Sequence, residues 1–418
     1  MNGPHRLAVL TLLCLGAAAR APAQTADLPP PPPGYNPIVP ERLESALDKT
    51  EIKHDLVNIK WGLAPILDYT WFGQDQESID QVGVQEDAYQ TRSGRLMARG
   101  TLFNTWQRPW KFLVSFEYRG FDSDPDETWT WTDVYAVIPL ADFASLTVGK
   151  EKEGFSYEIV GDAANLVQVE RLMNAFAGTR NIGLRLSHTA LGDRATWSIG
   201  VFNDWFAQDL DFDESGTQVV ARVTGLPFVS KDPRRYLHVG GAWRRNGADQ
   251  DAVRYRGRPE SNVTDYYVDT GLVPASDAQQ FLLELLYNHG PFSLTGEYTE
   301  AHVDSLAGGG DPRFRGYYLV GSWVVTGENR PYDRKVGYAR RVLPTGRWGA
   351  LELFARYGLV DLDDKEVRGG SLTKWFVGTN WWVNRRIRLS VGYGHATLDR
   401  LGLTGHTNQY FTRVQWIY

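Results

Sequence analysis

Cysteine is almost missing from this chain. Among 418 residues there is one, Cys14, in an apolar stretch near the start. For the remainder, a disulfide framework, a Cys-ligated zinc site and a thiol nucleophile are excluded. Beyond that first stretch no run of eighteen apolar residues occurs, so no transmembrane helix is expected. Catalytic motifs are missing too. There is no His-Glu-x-x-His, no Gly-x-Ser-x-Gly and no phosphate-cradling Gly-Lys-Ser/Thr. His188, on a strand end, has no companion serine signalled. The sequence therefore yields no catalytic residue, no metal-ligand set and no cofactor site. Asp122-Ser123-Asp124-Pro125-Asp126 spaces acids as a calcium loop does, but it lacks the glycine and downstream Glu of an EF-hand and reads as an exposed acidic loop. Basic excess is absent: the net charge is −6, which argues against a nucleic-acid partner.

Residues 1–23 read as a secretory leader: His5 and Arg6, an apolar core over Leu7–Ala19, then Ala21-Pro22-Ala23 as a small-x-small cleavage site. Arg6 and Arg20 leave with it, taking the net charge from −6 to −8. Residues 24–57 form a lead-in that opens on the proline run Pro29–Pro33, extended and stiff, with at most one short helix after Pro40.

What is abundant is aromatic residues and glycine, with 15 Trp, 20 Tyr, 18 Phe and 42 Gly. From residue 58 to 418 the sequence alternates with period two and breaks at Gly, Pro, Asp and Asn clusters, the pattern of an all-β chain. In Trp110–Arg119, Trp110, Phe112, Val114, Phe116 and Tyr118 share one face, opposite Lys111, Ser115, Glu117 and Arg119. At the chain end Tyr410, Thr412, Val414, Trp416 and Tyr418 oppose Phe411, Arg413, Gln415 and Ile417. An aromatic, β-branched outer face with a polar inner face predicts a transmembrane antiparallel β-barrel with a wet lumen. Sixteen strands are predicted. They begin near Ile59, Gly94, Trp110, Thr132, Ser145, Arg180, Ala195, Thr217, Tyr236, Gln279, Pro291, Arg315, Arg347, Ser371, Arg386 and Gln409. Gln279–Asn288 is apolar on both faces and cannot be oriented, which suits a subunit contact or a position under a loop. The long connections, expected to be extracellular, are Asp122–Glu127, Asn246–Gly271, Val303–Pro312, Glu328–Thr345 and Asp361–Gly370. Glu151–Gly178 is a further insertion, expected to fold inward with a helical turn over Leu166–Phe176 and to narrow the pore.

Several segments resemble the phosphate-selective porin O and P family. They are Thr326-Gly327-Glu328-Asn329-Arg330-Pro331-Tyr332, Gly346–Tyr357, Asp361-Leu362-Asp363-Asp364, Gly369-Gly370 and Asn380-Trp381-Trp382-Val383-Asn384. Looser matches upstream are Val148-Gly149-Lys150, Glu158, Glu170-Arg171 and Arg180–Gly183. The resemblance covers residues 58–418. It implies an outer-membrane barrel with an inward-folded constriction loop, assembled as a homotrimer in outer-membrane lipid and passing small hydrophilic solutes, phosphate being the best-known cargo. Phosphate-selective members place a lysine before the Glu-Arg pair. Here Gly154–Val169 holds no Lys or Arg, and the matching stretch is Gly161-Asp162-Ala163-Ala164.

The predicted pore lining consists of Arg95, Arg99, Arg119, Arg185, Arg222, Arg356, Arg388 and Arg413. A column of guanidinium groups would pass an anion from site to site. The alternative is that they pair with the inner-face acids Glu117, Glu284, Glu297 and Glu352. Lys150, Lys152, Glu158, Asp162, Glu170, Arg171 and Arg180 are assigned to the constriction loop and its flanks, with Glu170-Arg171 as its anchor. The function expected is a passive channel tilted toward anions such as phosphate. Its alternatives are a non-selective porin and a plugged structural or adhesive barrel.

Overall fold

The structure, a computed structural model, describes residues 29–41, 50–119, 128–176, 180–203, 215–248 and 251–418. The Asp122–Asp126 acids, the leader and part of the lead-in lie outside the described residues. Sixteen long strands form one antiparallel sheet. They are β1 (Val57–Gln74), β2 (Ala88–Leu102), β3 (Trp110–Tyr118), β4 (Trp129–Ala141), β5 (Ala144–Glu151), β6 (Asn181–Ala190), β7 (Ala195–Asn203) and β8 (Ser215–Val229). They continue with β9 (Arg235–Ala248), β10 (Val273–His289), β11 (Phe292–Ser305), β12 (Arg313–Val324), β13 (Ala350–Asp364), β14 (Val367–Trp382), β15 (Ile387–Arg400) and β16 (Leu403–Trp416). Each pairs with the next, and β16 returns to β1 in a ladder from Ile66↔Gln415 to Gln74↔Thr407. Closure leaves no free edge, which a bilayer requires.

Outward faces carry the apolar positions. On β1, Trp61 and Trp71 are both exposed. Ten residues at about 3.3 Å each, tilted by about 40°, separate them by about 25 Å along the membrane normal, the height of an apolar band. Trp323, Trp375, Trp381, Tyr410 and Val414 are exposed likewise. The alternation on β3 is as expected, with Leu113, Ser115 and Glu117 buried and the aromatic face outward.

All sixteen predicted strands are present, but some ends differ. β2, β10 and β16 begin six residues before their expected starts, at Ala88, Val273 and Leu403. All three begin at the end of the barrel remote from the chain termini. There the strands outgrow the apolar band, and small or polar residues replace the large apolar ones on the outward face, so no clear alternation announces them.

Two expected connections change character. Strands run to Asp364 and resume at Val367, so Asp361–Gly370 is a tight hairpin. Counting directions around the barrel puts the connection 325–349 at the same end as both termini, not among the extracellular loops. It turns into the barrel interior. There it forms a small ladder of its own, Tyr332↔Ala339 and Asp333↔Tyr338. The apolar strand β10 is oriented by what it covers. Phe281, Leu283 and Leu285 face outward, while Leu282 packs with Phe155, Ile159, Phe202 and Val220, and Leu286 with Tyr157, Tyr236 and Tyr338. It lies under a loop.

The lead-in residues 29–41 rest on the terminal rim. Ile38 N donates to Arg347 O at 2.8 Å, Asn384 Nδ2 to Val39 O at 3.0 Å, and Arg385 N to Glu41 Oε1 at 3.1 Å.

Candidate functional site

The connection 152–180 enters the barrel, and its described residues are almost all buried. Ser156 opens a four-residue helix, Tyr157–Val160, whose first amides are satisfied from the wall: Tyr157 N donates to Glu297 Oε1 at 2.7 Å. A short 3-10 turn follows over Ala163–Asn165, and then an extended run. The predicted helical turn over Leu166–Phe176 is not formed apart from a single 3-10 turn at Met173–Ala175. Helix would satisfy these carbonyls internally. Here the wall satisfies them instead.

The carbonyl of Ala164 accepts from Gln415 Nε2 (3.3 Å), that of Asn165 from Arg330 Nη1 (2.7 Å) and that of Leu166 from Arg388 Nη1 (2.8 Å). Val167 O accepts from Asn380 Nδ2 (2.8 Å) and Val169 O from Arg413 Nη1 (2.7 Å). Four wall side chains and Arg330 of the inward-turned connection thus stitch five carbonyls between Ala164 and Val169. Buried backbone acceptors need partners, and an arginine that reaches 6 Å or so from its strand supplies one while pairing an acid with its other nitrogens. Wall glycines make room for the loop. A Cβ on Gly358 would stand 2.4 Å from Leu172 Cδ2, and one on Gly316 2.6 Å from the Phe176 ring. Apolar loop residues Val167, Val169, Leu172, Met173 and Phe176 pack against Phe314, Tyr318, Phe354 and Phe376 on the inner faces of β12–β14. The expected wet lumen is therefore filled on this side.

The predicted arginines fall into two groups. Arg222 pairs with Glu284 (2.7 Å), Arg356 with Glu158 (2.6 Å) and Glu260 (2.7 Å), and Arg413 with Asp68 (2.7 Å) and Glu170 (2.8 Å). All are buried, as is Arg388, which has the Leu166 carbonyl and lies 5.0 Å over the Trp382 ring. Arg95 pairs with Glu117 at 2.8 Å and Arg185 with Glu151 at 3.1 Å, both partly exposed. Arg99 and Arg119 are also partly exposed, Arg119 N donating to Thr128 O at 2.7 Å. Of the alternative acid partners, Glu117 and Glu284 are engaged by these arginines. Glu352 is held by Arg330 at 2.7 Å, and Glu297 serves the loop helix.

The loop residues divide similarly. Glu158 and Glu170 are tied to the wall, Glu170 by both Arg92 and Arg413. Burial opposes its charge, but those two guanidinium groups hold the Glu170 carboxyl down to about 2. Arg171 donates to Glu158 O (2.7 Å) and Gly161 O (3.4 Å). Lys152 donates to Gly161 O at 3.2 Å, and burial pushes its ammonium down to about 7, against the pull of Asp162. Arg180 pairs with Asp133 at 2.9 Å. Lys150 stands on the flank just before the loop. It lies in β5 opposite the outward-facing Val134, on the face away from buried Glu151, and not in the loop. The strand runs to Glu151, one residue into the expected insertion.

Opposite the stitched wall, space remains. A cavity of about 390 Å³ lies between the loop and strands β4–β8. Hydroxyl groups dominate this wall, with Ser145, Thr147, Ser187, Thr189, Thr196 and Ser198. Lys152, Arg185, Arg222 and Lys335 also border it, against Asp142 and Asp193 at the terminal-end turns.

The family model of phosphate-selective porin O and P matches residues 67–416. The chain belongs to that family. Curated relatives include Porin O of Pseudomonas aeruginosa, 27% identical over 264 residues, 55% of this chain and 59% of that protein. An uncharacterized protein of Caulobacter vibrioides is 28% identical over 265 residues, 59% of this chain and 52% of that protein. The chain thus matches just over half the length of these relatives. Among solved structures, an anion-selective porin from Comamonas acidovorans superposes with a TM-score of 0.54 at 14% identity, covering 87% of this chain and all of that one. The fold and the bacterial outer membrane as its location follow for this porin-family barrel.

Sequence reasoning missed Arg330, Asn380 and Gln415, which hold the loop, and Glu260 and Lys335. Arg330 stands inside the family motif Gly327–Tyr332, and its isolation between Asn and Pro was a usable signal. Glu260 was unreadable, because its connection dips into the barrel from far along the chain.

Proposed function

We propose that this chain is a water-filled channel through which small hydrophilic solutes diffuse passively across the outer membrane, anions such as phosphate being favoured. The observation that carries this is the cavity beneath the loop, bordered by Lys335 and Lys152 and by Arg185 and Arg222, which Glu151 and Glu284 pair, with two acids at the mouth. Lys335 is exposed and has no ion-pair partner among the described residues. In a confined passage such charges are screened less than on an open surface and raise the local anion concentration. Membership of the phosphate-selective family supports the same tilt, as does the anion-selective porin of similar fold. The reading assigns the chain no catalytic step. It includes assembly as a homotrimer, on the family resemblance.

The test is single-channel recording in a planar bilayer with a salt gradient. A reversal potential toward anions is expected, with phosphate reducing chloride current. A barrel that never conducts would leave the structural or adhesive reading in its place. The second reading, a general diffusion porin of weak selectivity, is favoured by one observation: Arg222, Arg356 and Arg413 are saturated by acids and loop carbonyls. Charges already paired contribute little to a ladder for free anions. A reversal potential near zero would select it.

A further inference from the structure

At the tip of the constriction loop one acid faces the cations of the open side. Asp162 Oδ1 lies 3.9 Å from Arg95 Nη1 on β2, and the two side chains are 27% and 15% exposed, so both are partly open to solvent inside the barrel. Lys152 binds the neighbouring Gly161 carbonyl, and Arg180 stands on the chain just beyond the loop. The other loop acids are consumed by the wall. The Asp162 carboxylate accepts no hydrogen bond from any described residue. Burial works against its charge, yet Lys152, Arg95, Arg180 and Arg171 together outweigh burial and hold it down to about 2. It is a fixed anion with open lone pairs, set beside Lys152, Arg95 and Arg180, the last two also paired with Glu117 and Asp133.

We propose that Asp162 and Arg95 make the passage selective for solutes that carry an ammonium and an anionic group a few ångströms apart, over simple anions of the same size. The inference rests on the reading of the chain as a diffusion channel and narrows its anion tilt, for small organic solutes, to those that also carry an ammonium. The 3.9 Å contact is loose beside the 2.8 Å contact of Arg95 with Glu117. A zwitterion exchanges that one loose pair for two closer ones, its ammonium on Asp162 and its carboxylate on Arg95 or Arg180. A simple anion makes the same contact with Arg95 or Arg180 but stands beside Asp162 with no ammonium of its own to meet that charge. At about 4 Å even fully aqueous screening leaves a like-charge penalty of about fivefold in occupancy.

The experiment follows radiolabelled glycine, acetate and glycolamide into proteoliposomes of the mature protein. These probes have similar size and differ in charge. The wild-type protein is expected to admit glycine about threefold faster than acetate or glycolamide. Asp162→Asn should abolish that advantage and raise acetate entry about fivefold, the repulsion just estimated. Asp162→Lys should put acetate ahead of glycine. Heat-modifiable gel migration confirms that each variant barrel is folded. Equal glycine and glycolamide rates through a conducting wild-type channel, or a glycine preference that survives in folded Asp162→Asn and Asp162→Lys, would overturn the inference alone. Absence of any conductance would overturn the channel reading with it.

Discussion

The two halves of this barrel wall do different work with the same alternating pattern. On β12–β16 the inner face is rich in aromatic residues, glycine and arginine, and it is buried under the constriction loop: Phe314, Phe354, Phe376, Arg388 and Arg413 are all at or below 5% exposure. On β5–β7 the inner face is serine and threonine, and Arg185, Ser187 and Ser198 remain partly exposed. Arginine alone therefore does not mark a pore lining. In the first half it is a fastener for backbone carbonyls, and in the second it borders solvent. The deciding difference is the partner: Arg413 has two acids and a loop carbonyl, Arg185 one acid at the edge of the cavity.

The largest way to break this contrast is Arg413→Ala. It leaves Asp68 and Glu170 buried without their shared cation and frees the Val169 carbonyl. Removing one partner of a buried ion pair costs about 3–5 kcal/mol. We expect the barrel to lose heat-modifiable migration at a lower temperature and the loop to loosen, giving larger and noisier conductance. Arg185→Gln should change stability less, because Arg185 holds one acid and no loop carbonyl, and the new amide can still donate to Glu151, which is itself buried. Equal thermal losses in the two variants would abolish the distinction between the walls.

A smaller effect sharpens where the loop faces the passage. Ala164 is 6% exposed and its carbonyl is held by Gln415, while Ala163 is partly exposed. The alignment of Gly161–Ala164 with the family's lysine position makes Ala164 an obvious place to restore a cation. The structure argues for its neighbour. Ala164→Lys forces a long charged chain into a closed contact, and overpacking of this kind costs about 1–3 kcal/mol before its charge is counted. Ala163→Lys should fold normally and move the reversal potential toward anions. If Ala164→Lys folds as well as wild type and shifts selectivity more, the loop orientation described here is wrong.

These cases show what the sequence made legible. Strand number, inward and outward faces and the terminal strand follow from period-two alternation, since each outward residue of β3 or β16 must suit lipid. The constriction loop announced itself by its length and by Glu170-Arg171. The inward turn of 325–349 did not, because nothing local distinguishes a connection that enters the barrel from one that leaves it. The arginine ladder was misleading for a related reason. Strand parity puts Arg356, Arg388 and Arg413 on the inner face, but only three-dimensional packing reveals that a distant segment already occupies that face.

A third contrast is chemical and depends on pH. Lys152 lies on the open side with its ammonium pushed down to about 7, below the ordinary lysine range. The fold therefore favours the neutral form. Stability associated with this group is lost as pH falls from the unfolded lysine value toward about 7, and is level below that. Selectivity should run the other way. As pH drops through about 7 the cavity gains a charge, so anion preference should rise, and above it should fade. Lys152→Met should flatten the profile. A reversal potential that does not move across neutrality in the wild-type protein would count against this.

The smallest expected effect tests the hydroxyl wall. Ser187 and Ser198 face each other across the β6–β7 ladder, both partly exposed to the cavity. Water can satisfy what either hydroxyl loses, so Ser187→Ala with Ser198→Ala should change stability by no more than about 0.5 kcal/mol. Asn380→Leu on the stitched wall is the matched control of similar volume. It removes the donor to Val167 O (2.8 Å) and the acceptor of the buried Ser390 hydroxyl (2.7 Å), while Glu352 Oε2 loses one of three donors and keeps Arg330 and Trp382. Each orphaned buried group costs about 1–3 kcal/mol. The temperature at which heat-modifiable migration is lost should thus barely move for the serine pair and fall clearly for Asn380→Leu. A comparable fall for the serine pair would mean that the hydroxyl wall, too, is holding something in place.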